Sequence, residues 1–371
     1  MKKIFTVLTS IALTFALSFS AAFANDDALI KSQNYLKTIT LDSPDAVIAY
    51  EATGMEADYK ADALLNNFKE TDYVTASYGD LAKSIIAISL LGENPKDFNK
   101  TNLVEILENR VQEDGTLTND VNGGCGATIW TLMALETVNS PKVKAVADKL
   151  STMAMENGAY WYEYQGPNAD LDTTGWAMEA LSVAGRSTYD AAISKAYTFV
   201  SKLNSADGSY DIGWGGNADT QSCVLEGLST AGYTLDTNAY NYLLSYQNED
   251  GTFNALNYST SQLEPNAYAS VEGARALGVI NNGSFVLKAR IDYTKTTTPV
   301  VTEPETPTKP STPTTPGTTT PAVKPETTTT EPKKETVKVV NTGDNTNVMA
   351  YVVAAIAAVG VIVLVIKSKK K

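Results

Sequence analysis

Small residues recur along this chain at Ala87, Ala134, Ala180, Gly227 and Gly273, at intervals of 47, 46, 47 and 46 residues, each followed by an apolar or small residue. Self-similarity at such a period is the signature of a repeat architecture, in which each unit buries its apolar face only against its neighbours. Five residues past each small position stands Gly92, Asn139, Gly185, Gly232 or Gly278. These residue types accept the left-handed conformation that closes a helix. Each copy therefore reads as a helix with one narrow face and a defined stop. A sixth copy, more closely spaced, runs from Pro44 to Gly54 as PDAVIAYEATG.

Between the copies lies a second helical pattern, such as Leu103, Ile106, Leu107 and Arg110, or Ile193, Tyr197, Val200 and Leu203, with apolar residues three and four apart. Each unit is then a helix pair. Four of the pairs are joined through an Asp-Gly or Asn-Gly turn, at Gly115, Gly158, Gly208 and Gly251, with Leu117, Tyr160, Tyr210 and Phe253 two residues further on. Six pairs can stack as an open solenoid or close on themselves, and closure alone shelters the end units without polar caps. No polar capping helix is evident. The expected fold is all-α, an (α/α)6 toroid over residues 25–292 with the small-residue helices innermost.

The stretch YLLSYQNEDGTF (242–253) resembles the Gln-x-x-x-Gly-x-aromatic repeat of the prenyltransferase and squalene-cyclase (terpenoid cyclase) superfamily, and DTTGWAMEAL (172–181) resembles its inner helices. The likeness spans nearly all of residues 40–280. It implies the toroid, an architecture shared with cobalamin carriers and the complement thioester domain. Fold does not carry activity with it.

Each activity of that superfamily asks for particular residues. Asp170-Leu171-Asp172-Thr173-Thr174 is similar to the acid motif of class II terpene cyclases, where a carboxyl kept protonated by burial protonates an alkene. Asp172, with Asp170, is the candidate acid. The plainer reading makes Asp172, and Asp219 one repeat later, helix caps worth about 1 kcal/mol each. The second helical domain usual in a cyclase is missing. The zinc of the protein prenyltransferases needs a His, and the chain has none. That absence also excludes His-based triads. Gly124-Cys125-Gly126-Ala127-Thr128 is similar to the thioester motif, but Thr128 stands where the Gln that closes the thioester would be. Asn168, Asp170 and Asp172 alternate like calcium ligands, without the glycine such a loop requires at its sixth position. No metal site or cofactor is expected. Cys125 and Cys223 fall in non-adjacent units and read as two buried thiols.

The loops entering the inner helices are rich in aromatics. With the acids nearby they form a candidate ligand-binding rim: Tyr160, Trp161, Tyr164, Asp170, Asp172, Trp176, Tyr210, Trp214, Asp219 and Phe253.

The ends of the chain address it outward. Lys2 and Lys3, an apolar run to about Phe19, and Ala22-Phe23-Ala24 read as a secretory signal peptide over 1–24. Residues 293–338 are dominated by Thr, Pro, Glu and Lys and read as a disordered stalk. The uncharged run 348–366 is long enough to form a transmembrane helix, and the basic tail 367–371 would stay in the cytoplasm. Between stalk and span, residues 339–347 include Val340-Asn341-Thr342-Gly343-Asp344, which resembles a Gram-positive cell-wall sorting signal. The resemblance implies a sortase as partner, cutting between Thr342 and Gly343, although Val339-Val340 replace the usual Leu-Pro. A plain membrane anchor is the alternative. The 29 basic residues, less Lys2, Lys3 and the four tail lysines, leave 23 against 42 acidic ones, a net of −19 that argues against nucleic acid.

Two functions stay open. One is a non-enzymatic module on the bacterial surface, binding a glycan, a corrinoid or a protein partner at its aromatic rim. The other is an enzyme of the terpene-cyclase or glycan-processing type that uses rim carboxylates.

Overall fold

The computed structural model describes residues 26–56, 66, 70–120, 123–162, 166–213 and 215–297. Among these residues the chain is mainly helical, in keeping with the all-α expectation, with twelve helices and one hairpin. In chain order they are α1 (Asp26–Leu36), α2 (Pro44–Ala52), α3 (Tyr78–Leu90), α4 (Leu103–Glu108), α5 (Gly126–Thr137), α6 (Val143–Met153), α7 (Leu171–Gly185), α8 (Asp190–Lys202), α9 (Ala218–Thr230), α10 (Thr237–Leu244), the strands β1 (Phe253–Asn257) and β2 (Gln262–Asn266), α11 (Ala267–Asn282) and α12 (Phe285–Thr297).

The six helices of the small-residue repeat are α2, α3, α5, α7, α9 and α11, and each is buried along most of its length. They contact one another in sequence order, and α11 in turn packs on α2, so the run of contacts returns to its start. The intervening helices lie over the joints, with α1 against α2 and α11, α4 against α3 and α5, and α6 against α5 and α7. Their burial is confined to one flank, as an amphipathic stripe requires.

Caps and glycines fix this arrangement locally. Ser43, Ser77, Asp170, Asn217 and Asn266 cap five of the inner helices by accepting a backbone N–H three residues on. Each such cap is worth about 1 kcal/mol. Where α7 meets α9, a Cβ on Gly175 would lie 2.2 Å from the Cys223 carbonyl oxygen, and one on Gly227 would lie 2.2 Å from that of Gly175. At Gly227 the repeat's small residue thus lets α9 touch α7 backbone to backbone, whereas at Gly273 it makes room for the Phe253 ring. The four turn glycines do the same outside. Each has positive φ, and a Cβ there would meet the backbone of the next outer helix, at Ala145, Lys195, Asn238 and Lys31. The last of these contacts joins the fourth turn, at Gly251, to α1.

Several expectations change. Gly278 does not end a helix: it lies inside α11, where its missing side chain lets the backbone of Ala52 approach, and the stop is Gly283 with φ 86°. The hairpin β1–β2, which pairs Leu256 with Leu263, replaces a simple loop before α11. Helix α12 runs to Thr297, with Tyr293 buried, so residues 293–297 belong to the helical domain and not to the stalk.

Helix α12 is not another outer helix. It packs on α2, α3 and α5 and is tied in by ion pairs of Lys288 with Glu51 and of Arg290 with Glu136. Ser284, just before it, donates to Glu179 of α7, and Thr296 donates to the carbonyl of Gly92 beyond α3. Glu51, Gly92 and Glu136 all stand where their inner helices finish, so α12 covers that end of the circuit.

The expected signal peptide (1–24), most of the stalk, the sorting-like segment with Thr342 and Gly343, the span 348–366 and the basic tail lie outside the described residues. Among the described residues no helix is long and apolar enough to cross a membrane.

Candidate functional site

At the end opposite α12, the first turns of the inner helices surround a cavity of about 960 Å³. Its wall takes the cap Ser77 with Tyr78, Gly79, Asp80 and Lys83 of α3, Trp130 from α5, Asp172 and Trp176 from α7, Asp219 from α9 and Tyr268 from α11. Because all five contribute their starts, the inner helices run the same way and their N-terminal poles converge on one opening.

The two sides of this opening differ in charge. Along α7 and α9 stand Asp170, Asp172 and Asp219. Asp170 is spent as the α7 cap, accepting from the N–H of Thr173 at 2.7 Å. Asp172 sits two residues further on, half-buried, and receives a hydrogen bond from Thr220. Burial, then the charges of Asp170 and Asp219, raise its carboxyl from an ordinary value of 3.8 to about 7. Burial also raises Asp219, with Arg275 pulling the other way. Its Oδ1 is buried with no hydrogen-bond partner, and so is the indole N–H of Trp176.

Across the opening stand two cations, both engaged. Lys83 pairs with Asp45 at 2.8 Å and lies 4.5 Å from the centre of the Trp130 ring. Arg110 donates to the carbonyls of Tyr73, Val74 and Ala76. Trp130 is itself enclosed, edge-on to Trp176 at 5.8 Å and stacked on Phe285 of α12 at 6.4 Å.

Further into the helix bundle, the acids continue. Arg275 makes a two-pronged ion pair with Glu226, at 2.7 and 3.0 Å, and lies 3.7 Å from Glu272. Burial pushes Glu272 to about 8 against the pull of Arg275, and pushes Glu179 to about 8 with help from Glu226. These buried side chains were not anticipated. A signal was there: Glu179, Glu226 and Glu272 each immediately precede the repeat's small residue in three successive copies.

The expected rim residues separate into four groups. Asp172, Trp176 and Asp219 line the cavity together with Asp170. Tyr160, Tyr210 and Phe253 do not face a ligand. They are core residues whose backbone N–H groups bond to Thr174, Gln221 and Ser270 of the inner helices, pinning the turns inward. Trp161 is half-buried beside a separate cavity of about 400 Å³. Tyr164 and Trp214 lie outside the described residues.

The capping reading is also displaced by two residues, since Asp170 and Asn217 are the caps while Asp172 and Asp219 stay available to the cavity. Tyr78 and Tyr268, which the sequence did not single out, join Tyr162, Trp130 and Trp176 in the aromatic part of the wall. Cys125 and Cys223 are buried thiols, not a disulfide.

No protein-family model matches the chain, and no curated protein matches it. A solved structure of a protein from Actinoplanes is similar over 74% of this chain and 99% of that chain, at 13% identity and a TM-score of 0.43.

Proposed function

We propose that the domain is an (α/α)6 toroid of the prenyltransferase-like kind, displayed outside a Gram-positive cell, that binds a small polar ligand in the open end of its ring without transforming it. One observation carries the binding reading: a cavity of about 960 Å³ at the meeting point of five helix starts, lined by the acids Asp170, Asp172 and Asp219 and by the rings of Tyr78, Tyr162 and Tyr268. The closed circuit of inner helices supports the toroid, and α12 leaves one mouth for entry.

Titration calorimetry of the full chain in detergent against cobalamin and soluble cell-wall glycans tests the reading. Saturable heat that is lost in Asp172→Ala and Asp219→Ala supports it, and no heat with any of these ligands counts against it. The address is tested separately. Muramidase-released chains ending at Thr342 would support sortase attachment, whereas chains recovered only with residues 348–371 intact would leave a membrane anchor.

A second reading is favoured by Asp172, whose carboxyl at about 7 is suited to donate a proton at neutral pH. On that reading the chain is an acid catalyst, and Asp172→Asn abolishes turnover while leaving binding in place.

A further inference from the structure

We infer that the outward face of the β1–β2 hairpin is a docking site for a basic polypeptide segment in extended form. The patterning of the hairpin is inverted. An antiparallel pair laid on a core turns its large apolar side chains inward and its polar ones to solvent. Here the small Ala255 packs against the core, and successive side chains of a strand point to opposite faces. Leu256 and Leu263, paired directly across the strands, therefore share the outer face, where they are 47% and 56% exposed. Pro265 is exposed on that face too, and Tyr258 at the turn is 89% exposed. Of the eight large apolar side chains exposed among the described residues, four fall within residues 256–268.

The backbone edge of β2 is uncovered as well. The outer side of β1 is taken, since the Asn254 N–H donates to the carbonyl of Tyr246 and Gln247 bridges to Phe253. Beyond β2 no further strand lies among the described residues, and four of its five residues are exposed. Edge strands are commonly blunted by lysine or proline. In β2 only Pro265 does so, at one end, which leaves the backbone around Leu263 open. An extended segment added there gains main-chain hydrogen bonds and sets alternate side chains against the leucines.

Charge decides the occupant. From Leu203 to Ala274 the chain has nine acidic residues and no Lys, Arg or His. Hydrogen bonds from the backbone of Ser209, from Thr252, and from Asn257 with Thr260 hold the carboxyls of Asp207, Asp250 and Glu264 below the usual range, so all three are ionised at neutral pH. Tyr246, whose carbonyl holds the base of β1, bonds through its hydroxyl to the carbonyl of Gly216 and so brings the loop with Asp211 alongside. Lys31 of α1 reaches this side, where Glu249 and Asp27 both engage it. A second copy of the chain would present the same leucines but the same acids, and anionic lipid would be repelled in the same way. A segment alternating Lys or Arg with apolar residues matches both the leucines and the charge. Neither Leu256, Leu263 nor Glu264 lines the mouth, so docking here is independent of a ligand there.

The test uses the full chain in phosphatidylcholine nanodiscs, titrated with a short peptide of alternating lysine and valine and with its glutamate-valine counterpart. Flotation with phosphatidylglycerol vesicles and sedimentation velocity probe the rival occupants. The lysine-valine peptide should bind saturably, with affinity falling about tenfold from roughly 50 to roughly 500 mM salt. The double change Leu256→Ser and Leu263→Ser should weaken it about tenfold or more. Both leucines are exposed, so Tm should stay in place. Gln262→Lys, also at an exposed position, should weaken the peptide about threefold at low salt. The glutamate-valine peptide should not bind.

Equal binding of the two peptides, lysine-valine binding that survives the loss of both leucines, or no binding of either peptide would overturn the proposal. A dimer, or adhesion to the vesicles, that the leucine changes abolish while no peptide binds would assign the face to a second copy or to a lipid surface and overturn it equally.

Discussion

The two sides of the inner circuit are built differently at one repeat position. Just before the small residue, α3 and α5 carry Ile86 and Met133, whereas α7, α9 and α11 carry Glu179, Glu226 and Glu272, and all five are buried. The hydrocarbon pair demonstrates that this slot needs no charge to pack. Three buried glutamates with one guanidinium among them, that of Arg275 on Glu226 and Glu272, are therefore a burden on stability, because the desolvation of buried acids and of a buried ion pair can exceed what the pairing returns. The acids of the mouth, Asp172 and Asp219, belong to helices on the glutamate side. The contrast teaches that one side of the circuit serves cohesion while the other carries the polar chemistry.

The sharpest way to break this contrast is to remove the counter-ion. Arg275→Met should lower the unfolding free energy by about 3–5 kcal/mol, read by urea denaturation, since it strands Glu226 with no cation in its place. Transplanting the acid to the other side is the converse. Met133→Glu should cost about 3 kcal/mol or more at pH 7, because no cation is bonded at that position and the carboxyl must stay protonated.

A titration sharpens the comparison without mutation. Glu179 and Glu272 rise from 4.5 to about 8 in the folded chain. The native state then keeps protons that the unfolded chain has already released, so stability falls as pH climbs from about 4.5 to 8. A Glu179→Gln variant should flatten that slope by on the order of 2 kcal/mol across the window, measured as ΔG at pH 5 and pH 8. Gly175→Ala forces α7 away from α9 and should cost about 1–3 kcal/mol, whereas Ser89→Ala in α3 should cost little by comparison. The smallest change is Asp170→Ala, a lost cap of about 1 kcal/mol visible as a shift in Tm.

Much of the framework could be read from residues alone, because the constraint that sets it is steric and repeats. Ala87, Ala134, Ala180, Gly227 and Gly273 mark helices that must approach closely, and the Asp-Gly and Asn-Gly turns mark where no Cβ fits. The site was less legible. Tyr160, Tyr210 and Phe253 looked like rim residues because their loops border the opening, but a backbone bond from each to Thr174, Gln221 or Ser270 turns them into the core. Asp170 and Asp172 differ by two positions, and only the N–H of Thr173 decides which is the cap. Helix α12 was invisible as a cover, since its partners Glu51 and Glu136 are 237 and 154 residues away in sequence. The hairpin before α11 left no periodic trace either.

The seam where α11 meets α2 has a consequence for biosynthesis. Asn282 bonds to the carbonyl of Ala52 across 230 residues of sequence, so a growing polypeptide makes α2 early and supplies its partner almost last. Until then the flank of α2 that Gly278 will cover stays bare to whatever escorts the nascent chain. A ribosomal product halted before Ala267 would therefore present a sticky, unfinished arc to chaperones and proteases.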